Sequence, residues 1–348
     1  MQTVLKATEQ PIEQAYGLAL LDLDGVVYRG KNPVDYASEA ITKAQQAGMT
    51  VEYTTNNSSR YQQTVADQLQ GFGLEVEPWQ IITSSVVAAR MVARAVPKGA
   101  KVLIVGAGHL REELEKQGLV VVDRVEDNPA AVVQGWYPEV GWNELANASY
   151  AVERGAQYFV TNRDLTIPRE LGIAPGSGSL IQAVITATGV EPVASAGKPE
   201  AAMYDEARLL ASHDGATLVP KDRCLAIGDR LDTDIEAGNR GGYDSLVVLT
   251  GVADPEQLML APAHLRPTYI SRDLRDLHVA MPQLVRVSDT EWRCENATAE
   301  LAGDEVRVSD VHDINALRAA CNLLWSLADG GKVDTASLRL PEFQLQES

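Results

Sequence analysis

The sequence predicts an α/β fold built on a parallel sheet. Short apolar runs alternate with segments of helical period along most of the chain, and a serine and a glycine bound the first of those segments. The chain has 348 residues, of which 45% are hydrophobic. This length is enough for two or three domains rather than one.

The first block of alternating elements occupies residues 1–97. Its first helix is predicted at 38–48, because Ser38 suits the N-cap position and Gly48 suits the helix end. The remaining elements follow from their apolar spacing. Strands are predicted at 17–21, 49–57 and 81–85, and further helices at 60–73 and 86–96.

A second block, residues 98–190, has enough strands and helices to form a domain of its own. Strands are predicted at 101–108, 119–123, 130–136 and 157–164, and helices at 110–118 and 142–156. The alternation of the first block resumes over 191–278. Helices are predicted at 201–212 and 234–242, strands at 224–229 and 244–251, and a final short strand and turn within 266–277. We therefore expect a discontinuous core, 1–97 and 191–278, that carries 98–190 as an insert.

The last part of the chain, 279–348, has a different pattern. Residues 291–310 alternate like a hairpin, and 314–331 have helical apolar spacing. We expect a small α+β module appended to the core, with no chemical motif of its own.

Composition limits the partners and the compartment. The formal net charge of −18 argues against nucleic acid or an anionic membrane as the main partner. There is no apolar run long enough to span a membrane, and the polar first residues do not resemble a signal peptide. The three cysteines are scattered, as in a reduced cytoplasmic protein.

Two acidic clusters follow predicted strands. Asp22 and Asp24 come after the strand at 17–21. Asp229 lies at the carboxyl end of the predicted strand 224–229, and Asp234 opens the helix five residues later. Ligands of parallel sheets bind at the carboxyl ends of strands, and neighbouring carboxylates need a cation to offset their repulsion. Each cluster alone is also compatible with helix capping. Together they indicate a site for a hard cation such as Mg²⁺.

Two other segments supply what a phosphate group needs. The strand at 49–57 ends in Thr55 and Asn56, whose hydroxyl and amide groups precede a helix, and Lys198 lies between a glycine and a proline. Such a set fits phosphoryl transfer, in which one aspartate attacks phosphorus and a second carboxyl group exchanges protons with the leaving group and with water. The cation and the lysine would stabilise charge on the phosphoryl oxygens.

These segments together resemble the four signature motifs of the haloacid dehalogenase (HAD) superfamily of phosphatases. The motifs are DLDGVV, TTNN, AGKP and GDRLDTDI, in this order, and the insert lies between the second and the third. An insert at this place resembles the C2-type cap of subfamily IIA, which contains the NagD-like and p-nitrophenylphosphatase-like proteins. The segment PGSGSLI is also similar to the pattern of that subfamily. The resemblance implies a Rossmann-like core with a C2 cap. Where many relatives have threonine, this chain has Val26, as NagD-like proteins also do.

The resemblance also assigns roles by position. Asp22 would be the nucleophile and a Mg²⁺ ligand, and Asp24 the acid/base and a Mg²⁺ ligand through its carbonyl group. Thr55, Asn56 and Lys198 would bind the phosphate, Asp229 would bind Mg²⁺, and Asp234 would support it. In the cap, polar loop residues are candidates for contacts with the leaving group, although capping and turn formation explain them equally well: Asn162, Arg163, Asp164 and Ser177.

The appended module further resembles that of actinobacterial glycerol 3-phosphate phosphatases, so glycerol 3-phosphate is the expected substrate. Phosphoglycolate, pyridoxal phosphate and p-nitrophenyl phosphate are the alternative esters. A phosphomutase would use the same residues, and a ligand-sensing module with vestigial activity is the alternative of another class. Cap-mediated dimers are frequent among the resembling proteins, so a homodimer is compatible with the sequence.

Overall fold

The computed structural model describes residues 5–169, 171–212, 217–331 and 333–345. The strands are β1 (Leu18–Asp22), β2 (Tyr28–Arg29), β3 (Asn32–Pro33), β4 (Thr50–Thr55), β5 (Ile81–Thr83), β6 (Lys101–Val105), β7 (Val120–Val122), β8 (Ala131–Gln134), β9 (Gln157–Val160), β10 (Thr166–Arg169), β11 (Gly172–Pro175), β12 (Ala194–Ser195), β13 (Cys224–Gly228), β14 (Asp244–Val248), β15 (Tyr269–Ser271), β16 (Leu284–Ser288), β17 (Glu291–Cys294), β18 (Ala297–Ala302) and β19 (Glu305–Val308). The helices are α1 (Ile12–Ala15), α2 (Ala37–Gln46), α3 (Gln62–Gly71), α4 (Ser84–Ala95), α5 (Gly108–Lys116), α6 (Trp142–Glu153), α7 (Ser177–Thr188), α8 (Ala202–Leu210), α9 (Glu236–Gly241), α10 (Pro255–Met259) and α11 (Ile314–Asp329).

The chain divides into two compact units. The first contains residues 1–53, 71–75 and 208–348, and the second contains 54–70 and 76–207. These units do not coincide with the domains predicted from the sequence. The second unit adds 54–70, 76–97 and 191–207 to the predicted insert, and the first includes the C-terminal module.

The first unit is built on a sheet with the strand order β15-β14-β13-β1-β4. Strand β1 pairs in parallel with β13, and the parallel pairs continue through β14 to β15. Every residue of β1 and of β13 is buried, which explains their continuous apolar sequences. The predicted α/β class with a parallel sheet is confirmed.

The second unit has a parallel sheet of its own, in the order β12-β9-β8-β6-β7. Its core packs Val132 and Tyr158 of the central strands against Ala148 of α6 and Ile181 of α7. Strands β10 and β11 form an antiparallel hairpin just before α7. The sequence did not predict this hairpin, and it assigned the start of α7 to a loop.

The C-terminal module contains a four-stranded antiparallel sheet, β16-β17-β18-β19, rather than a single hairpin. The amphipathic helix α11 belongs to the same buried cluster as this sheet, together with Leu231, Ile235, Leu258 and Met259 of the first unit. The module therefore shares one hydrophobic core with the rest of the first unit.

The two ends of helix α2 compare differently with the sequence-based expectations. Helix α2 begins at Ala37 after Tyr36, whose backbone is left-handed, so Ser38 lies inside the helix and the prediction of an N-cap there is wrong. Gly48, at the predicted helix end, has the positive φ of 101° that favours glycine. Within the described part of the chain, no helix combines the length and the apolar character that a membrane span requires.

Glu52 is an unusual residue for a buried strand position. It lies in β4, is fully buried, and neither carboxylate oxygen has a hydrogen-bond partner within the described residues. Burial raises the pKa of this carboxyl group from 4.5 to about 9. The folded protein therefore keeps Glu52 protonated at neutral pH, whereas the unfolded chain releases the proton.

We expect Glu52→Leu to stabilise the protein, and to do so more at higher pH. Because the folded pKa is raised, the wild type loses stability as the pH rises from 4.5 towards about 9. At pH 8 the gain in unfolding free energy should be at least about 2 kcal/mol, and it should shrink towards pH 5. Urea unfolding at both pH values measures it. The exposed Glu75→Leu serves as a control, and an equal gain at both pH values would contradict the assignment.

Candidate active site

Three aspartates come together in the first unit. Asp22, Asp229 and Asp234 are buried, and one carboxylate oxygen of each lies within 4.8 Å of the others. Asp22 ends β1, and Asp229 directly follows β13. The parallel register places Leu21 opposite Ile227, so the two strands deliver their aspartates at the same edge of the sheet.

The backbone around Asp229 fixes this carboxylate. Its Oδ2 atom accepts a hydrogen bond of 2.8 Å from the backbone N–H of Val252. A Cβ atom at Gly251 would lie 1.8 Å from Oδ2, and one at Gly25 would lie 2.3 Å from it. Gly25 also has a φ of 81°, so both features require glycine there. The glycine of the DLDG motif thus lets the first acidic cluster approach the second.

Asp234 does not begin a regular helix, as the sequence suggested. It lies in a π-helical turn, Leu231–Ile235, that precedes α9. Its Oδ2 atom accepts a hydrogen bond of 3.1 Å from the backbone N–H of Arg230. Asp232, two residues earlier, is exposed and pairs with Arg230. The turn thus directs one acidic residue to the cluster and one to the surface.

The donor set of this cluster suits Mg²⁺. Carboxylate oxygens are the protein ligands that this ion takes, and the cluster includes none of the histidine or cysteine side chains typical of zinc. Asp24 differs from the other three aspartates because it is exposed. The backbone N–H of the next residue, Gly25, donates to the carbonyl oxygen of Tyr28 at 2.8 Å, which closes the turn that bears Asp24.

In the second unit, the structure brings the predicted phosphate-binding segments together. The side-chain oxygen of Asn56 accepts a hydrogen bond of 2.8 Å from the Lys198 N–H, and its Nδ2 atom donates to the Lys198 carbonyl oxygen at 3.0 Å. Lys198 is almost fully buried. Thr55 accepts a hydrogen bond of 3.1 Å from the N–H of Asn57, which forms a tight turn after β4.

The four loop residues singled out in the sequence have different surroundings in this unit. Asn162 and Asp164 both contact Asn56. Arg163 is exposed and pairs with Glu191 at 3.4 Å. Ser177 is buried and is the first residue of α7 rather than part of a loop.

Sequence reasoning missed Ser84. Its hydroxyl group donates to the carbonyl oxygen of Asn56 at 2.7 Å. It begins α4 directly after β5, and hydroxyl residues at the start of a helix were the only available signal.

The chain is similar to several known proteins over most of its length. Residues 19–120 match the family model described as haloacid dehalogenase-like hydrolase, and residues 195–277 match one described as HAD-hydrolase-like. A D-glycerol 3-phosphate phosphatase of Mycobacterium tuberculosis is 37% identical over 319 residues, which cover 90% of this chain and 87% of the relative. An acid sugar phosphatase of Staphylococcus aureus is 32% identical over 75% of this chain and 96% of its own.

The solved structures that resemble this chain are also phosphatases. A glycerol phosphate phosphatase from Mycobacterium tuberculosis in complex with magnesium superimposes with a TM-score of 0.81 and 35% identity, covering 95% of this chain and 94% of its own. A p-nitrophenyl phosphatase from Archaeoglobus fulgidus reaches a TM-score of 0.69 with 32% identity, over 75% of this chain and 98% of its own.

Proposed function

We propose that this chain, which belongs to the haloacid dehalogenase-like hydrolases and is a phosphatase, hydrolyses glycerol 3-phosphate with Mg²⁺ as its cofactor. The cluster of Asp22, Asp229 and Asp234 carries the proposal, because it supplies a nucleophile and a set of hard ligands at one sheet edge. Cytoplasmic location and a homodimer remain predictions from the sequence.

The extent of the likeness favours glycerol 3-phosphate among the candidate esters. The C-terminal module, 279–348, makes up about a fifth of the chain, so a match that covers 95% of the chain must include most of it. The acid sugar and p-nitrophenyl phosphatases match only 75% of the chain. The module is therefore a feature that this chain shares with the glycerol phosphate phosphatase.

In the proposed reaction, the Asp22 carboxylate attacks phosphorus, and the bond between phosphorus and the glycerol oxygen breaks. Asp24 gives its proton to the departing alkoxide and then removes a proton from the water that hydrolyses the aspartyl-phosphate. Thr55 and Lys198 bind the phosphoryl oxygens, whereas the side chain of Asn56, which was predicted to do the same, binds the main chain of Lys198. Asp22, Asp229 and the Asp24 carbonyl group, with Asp234 in support, would hold Mg²⁺, and the ion would lower the repulsion between the nucleophile and the phosphate.

We expect phosphate release from glycerol 3-phosphate to depend on Mg²⁺ and to be faster than from the other esters. The assay compares kcat/KM for glycerol 3-phosphate, phosphoglycolate, pyridoxal phosphate and p-nitrophenyl phosphate. EDTA should remove the activity, and excess Mg²⁺ should restore it. A kcat/KM about tenfold higher for another ester would contradict the proposed substrate. Activity that needs a sugar bisphosphate and releases no phosphate would indicate a phosphomutase.

A further inference from the structure

We propose that Asn162 and Asp164 are positioning residues that hold the phosphate-binding lysine in place through Asn56, and that they do not select the leaving group. The proposal rests on the proposed function for the role of Lys198. All the residues involved belong to the second unit.

Asn56 binds the main chain of Lys198. Both polar atoms of the Asn56 amide bond to the main chain of Lys198, one to its N–H and one to its carbonyl group. The preceding residue, Gly197, lies so close that a Cβ atom there would be 2.7 Å from the Asn56 oxygen. Asn56 therefore fixes the point from which the buried lysine side chain starts.

Asp164 sets the orientation of the Asn56 side-chain amide. The Nδ2 atom of Asn56 carries a second hydrogen, which it donates to Asp164. The nitrogen lies 3.2 Å and 3.4 Å from the two carboxylate oxygens of that residue. A carboxylate only accepts hydrogen bonds, whereas the Lys198 N–H only donates. A rotated amide would place its oxygen against the Asp164 carboxylate and its nitrogen against a donor. Asp164 thus selects the orientation that binds Lys198.

The main chain of Asn56 is held by hydrogen bonds as well. Its carbonyl oxygen accepts a hydrogen bond of 2.8 Å from Asn162 Nδ2, in addition to the one from Ser84. The other polar atom of Asn162, Oδ1, accepts from the backbone N–H of Asp164 at 3.2 Å. The side-chain atoms of Asn162 are therefore engaged in holding Asn56 and Asp164.

Helix α7 anchors the loop that carries Asn162 and Asp164. The N–H groups of Gly176 and Gly178, at the start of α7, donate to the carbonyl oxygens of Leu165 and Asp164, each at 2.8 Å. A Cβ atom at either glycine would come within 2.3 Å of a carbonyl oxygen of this loop. The glycines of the PGSG segment thus permit helix α7 to anchor the loop.

These contacts predict how activity responds when Asp164 is changed. A role in placing Lys198 is common to all phosphomonoesters, because it concerns the phosphate end of the substrate. We expect Asp164→Ala to lower kcat/KM about tenfold, the scale expected for a lost hydrogen bond to a charged group. The factor should be the same, within about threefold, for glycerol 3-phosphate, phosphoglycolate and p-nitrophenyl phosphate. Asp164→Asn, which keeps an acceptor oxygen, should recover most of the activity.

A double-mutant cycle provides the decisive measurement. If Asp164 acts through Asn56, then Asp164→Ala should have little further effect in an Asn56→Ala background. Inhibition by inorganic phosphate should also weaken in Asp164→Ala. Glu153→Ala, an exposed acidic residue of α6 in the same unit, is the matched control and should leave all values unchanged.

Two outcomes would overturn the proposal. One is a change of tenfold or more in the ratio of kcat/KM between esters, which would assign Asp164 to the leaving group. The other is a full effect of Asp164→Ala in the Asn56→Ala background. If Asp164→Ala proves too unstable to assay, Asn162→Ala tests the same network. Glycerol 3-phosphate proving a poor substrate would contradict the proposed function alone, since the comparison uses whichever esters the wild type hydrolyses.

Discussion

Asp22→Asn should lower phosphatase activity by at least about 10³-fold while leaving the protein folded. An amide at this position is a far weaker nucleophile towards phosphorus than a carboxylate, and no other side chain is proposed to form the covalent intermediate. Phosphate release under saturating Mg²⁺ measures the loss, and thermal unfolding checks the fold.

The same variant also tests the metal site. Asp22 is one of three buried carboxylates whose oxygens lie within 4.8 Å of one another, so the substitution removes one negative charge from the cluster. Without Mg²⁺, we expect the melting temperature of Asp22→Asn to be no lower than that of the wild type. With Mg²⁺, the wild type should gain more stability than the variant, because binding to the folded state alone raises its melting temperature.

Asp232→Asn is the matched control for this prediction. Asp232 lies in the second acidic motif, GDRLDTDI, between the cluster residues Asp229 and Asp234, but its side chain is 61% exposed and pairs with Arg230. We expect activity and the response to Mg²⁺ to stay near wild-type values. Full activity in Asp22→Asn would refute the aspartyl-phosphate mechanism, and an equal loss in Asp232→Asn would show that the cluster responds to any change in this motif.

The strand-end aspartates could be predicted from the sequence because one local rule determines them. An apolar run too short for a helix and followed by an acid marks a parallel strand with its functional end, and both β1 and β13 obey this rule. The roles of the individual residues came from the resemblance to a family. The burial of Asp22 and the exposure of Asp24 became visible only in the structure.

The surroundings of Asn56 could not be predicted in this way. Its partners Asp164 and Lys198 lie 108 and 142 positions away along the chain, so no periodicity connects them to it. Glu52 shows the opposite failure. Its position in a strand was correct, but the alternation of side chains gives no reason to expect a buried carboxyl group without a partner.

The packing partner of the appended module could not be predicted for a related reason. The sequence pattern correctly indicated strands and the helix at 314–331, yet it presented them as a separate module. The apolar face of α11 belongs instead to a core that includes Leu231 and Ile235 of the π-helical turn around Asp234. Helical periodicity shows that a face is buried, but it does not identify what covers that face.

Trp325→Ala should cost about 3–5 kcal/mol of unfolding free energy, the range found when a large buried aromatic side chain is truncated. Trp325 is 1% exposed, and its indole N–H donates to the Leu258 carbonyl oxygen at 2.9 Å. The guanidinium group of Arg266, which is itself bound to Asp329, lies 5.4 Å from the ring centroid. The substitution would leave a cavity and remove the partner of a carbonyl group at α10.

This loss should extend to the metal site, because one hydrophobic core serves both regions. Leu231 and Ile235 are the first and last residues of the turn that contains Asp234. Both belong to the same buried cluster as Trp325. We therefore expect Trp325→Ala to unfold in a single transition at lower urea concentration and to need more Mg²⁺ for half-maximal activity. Trp142→Ala, at a tryptophan that is 74% exposed, should change the unfolding free energy by no more than about 0.5 kcal/mol. If Trp325→Ala instead showed two transitions, with the response to Mg²⁺ unchanged, the C-terminal segment would be an independent domain whose packing does not support Asp234.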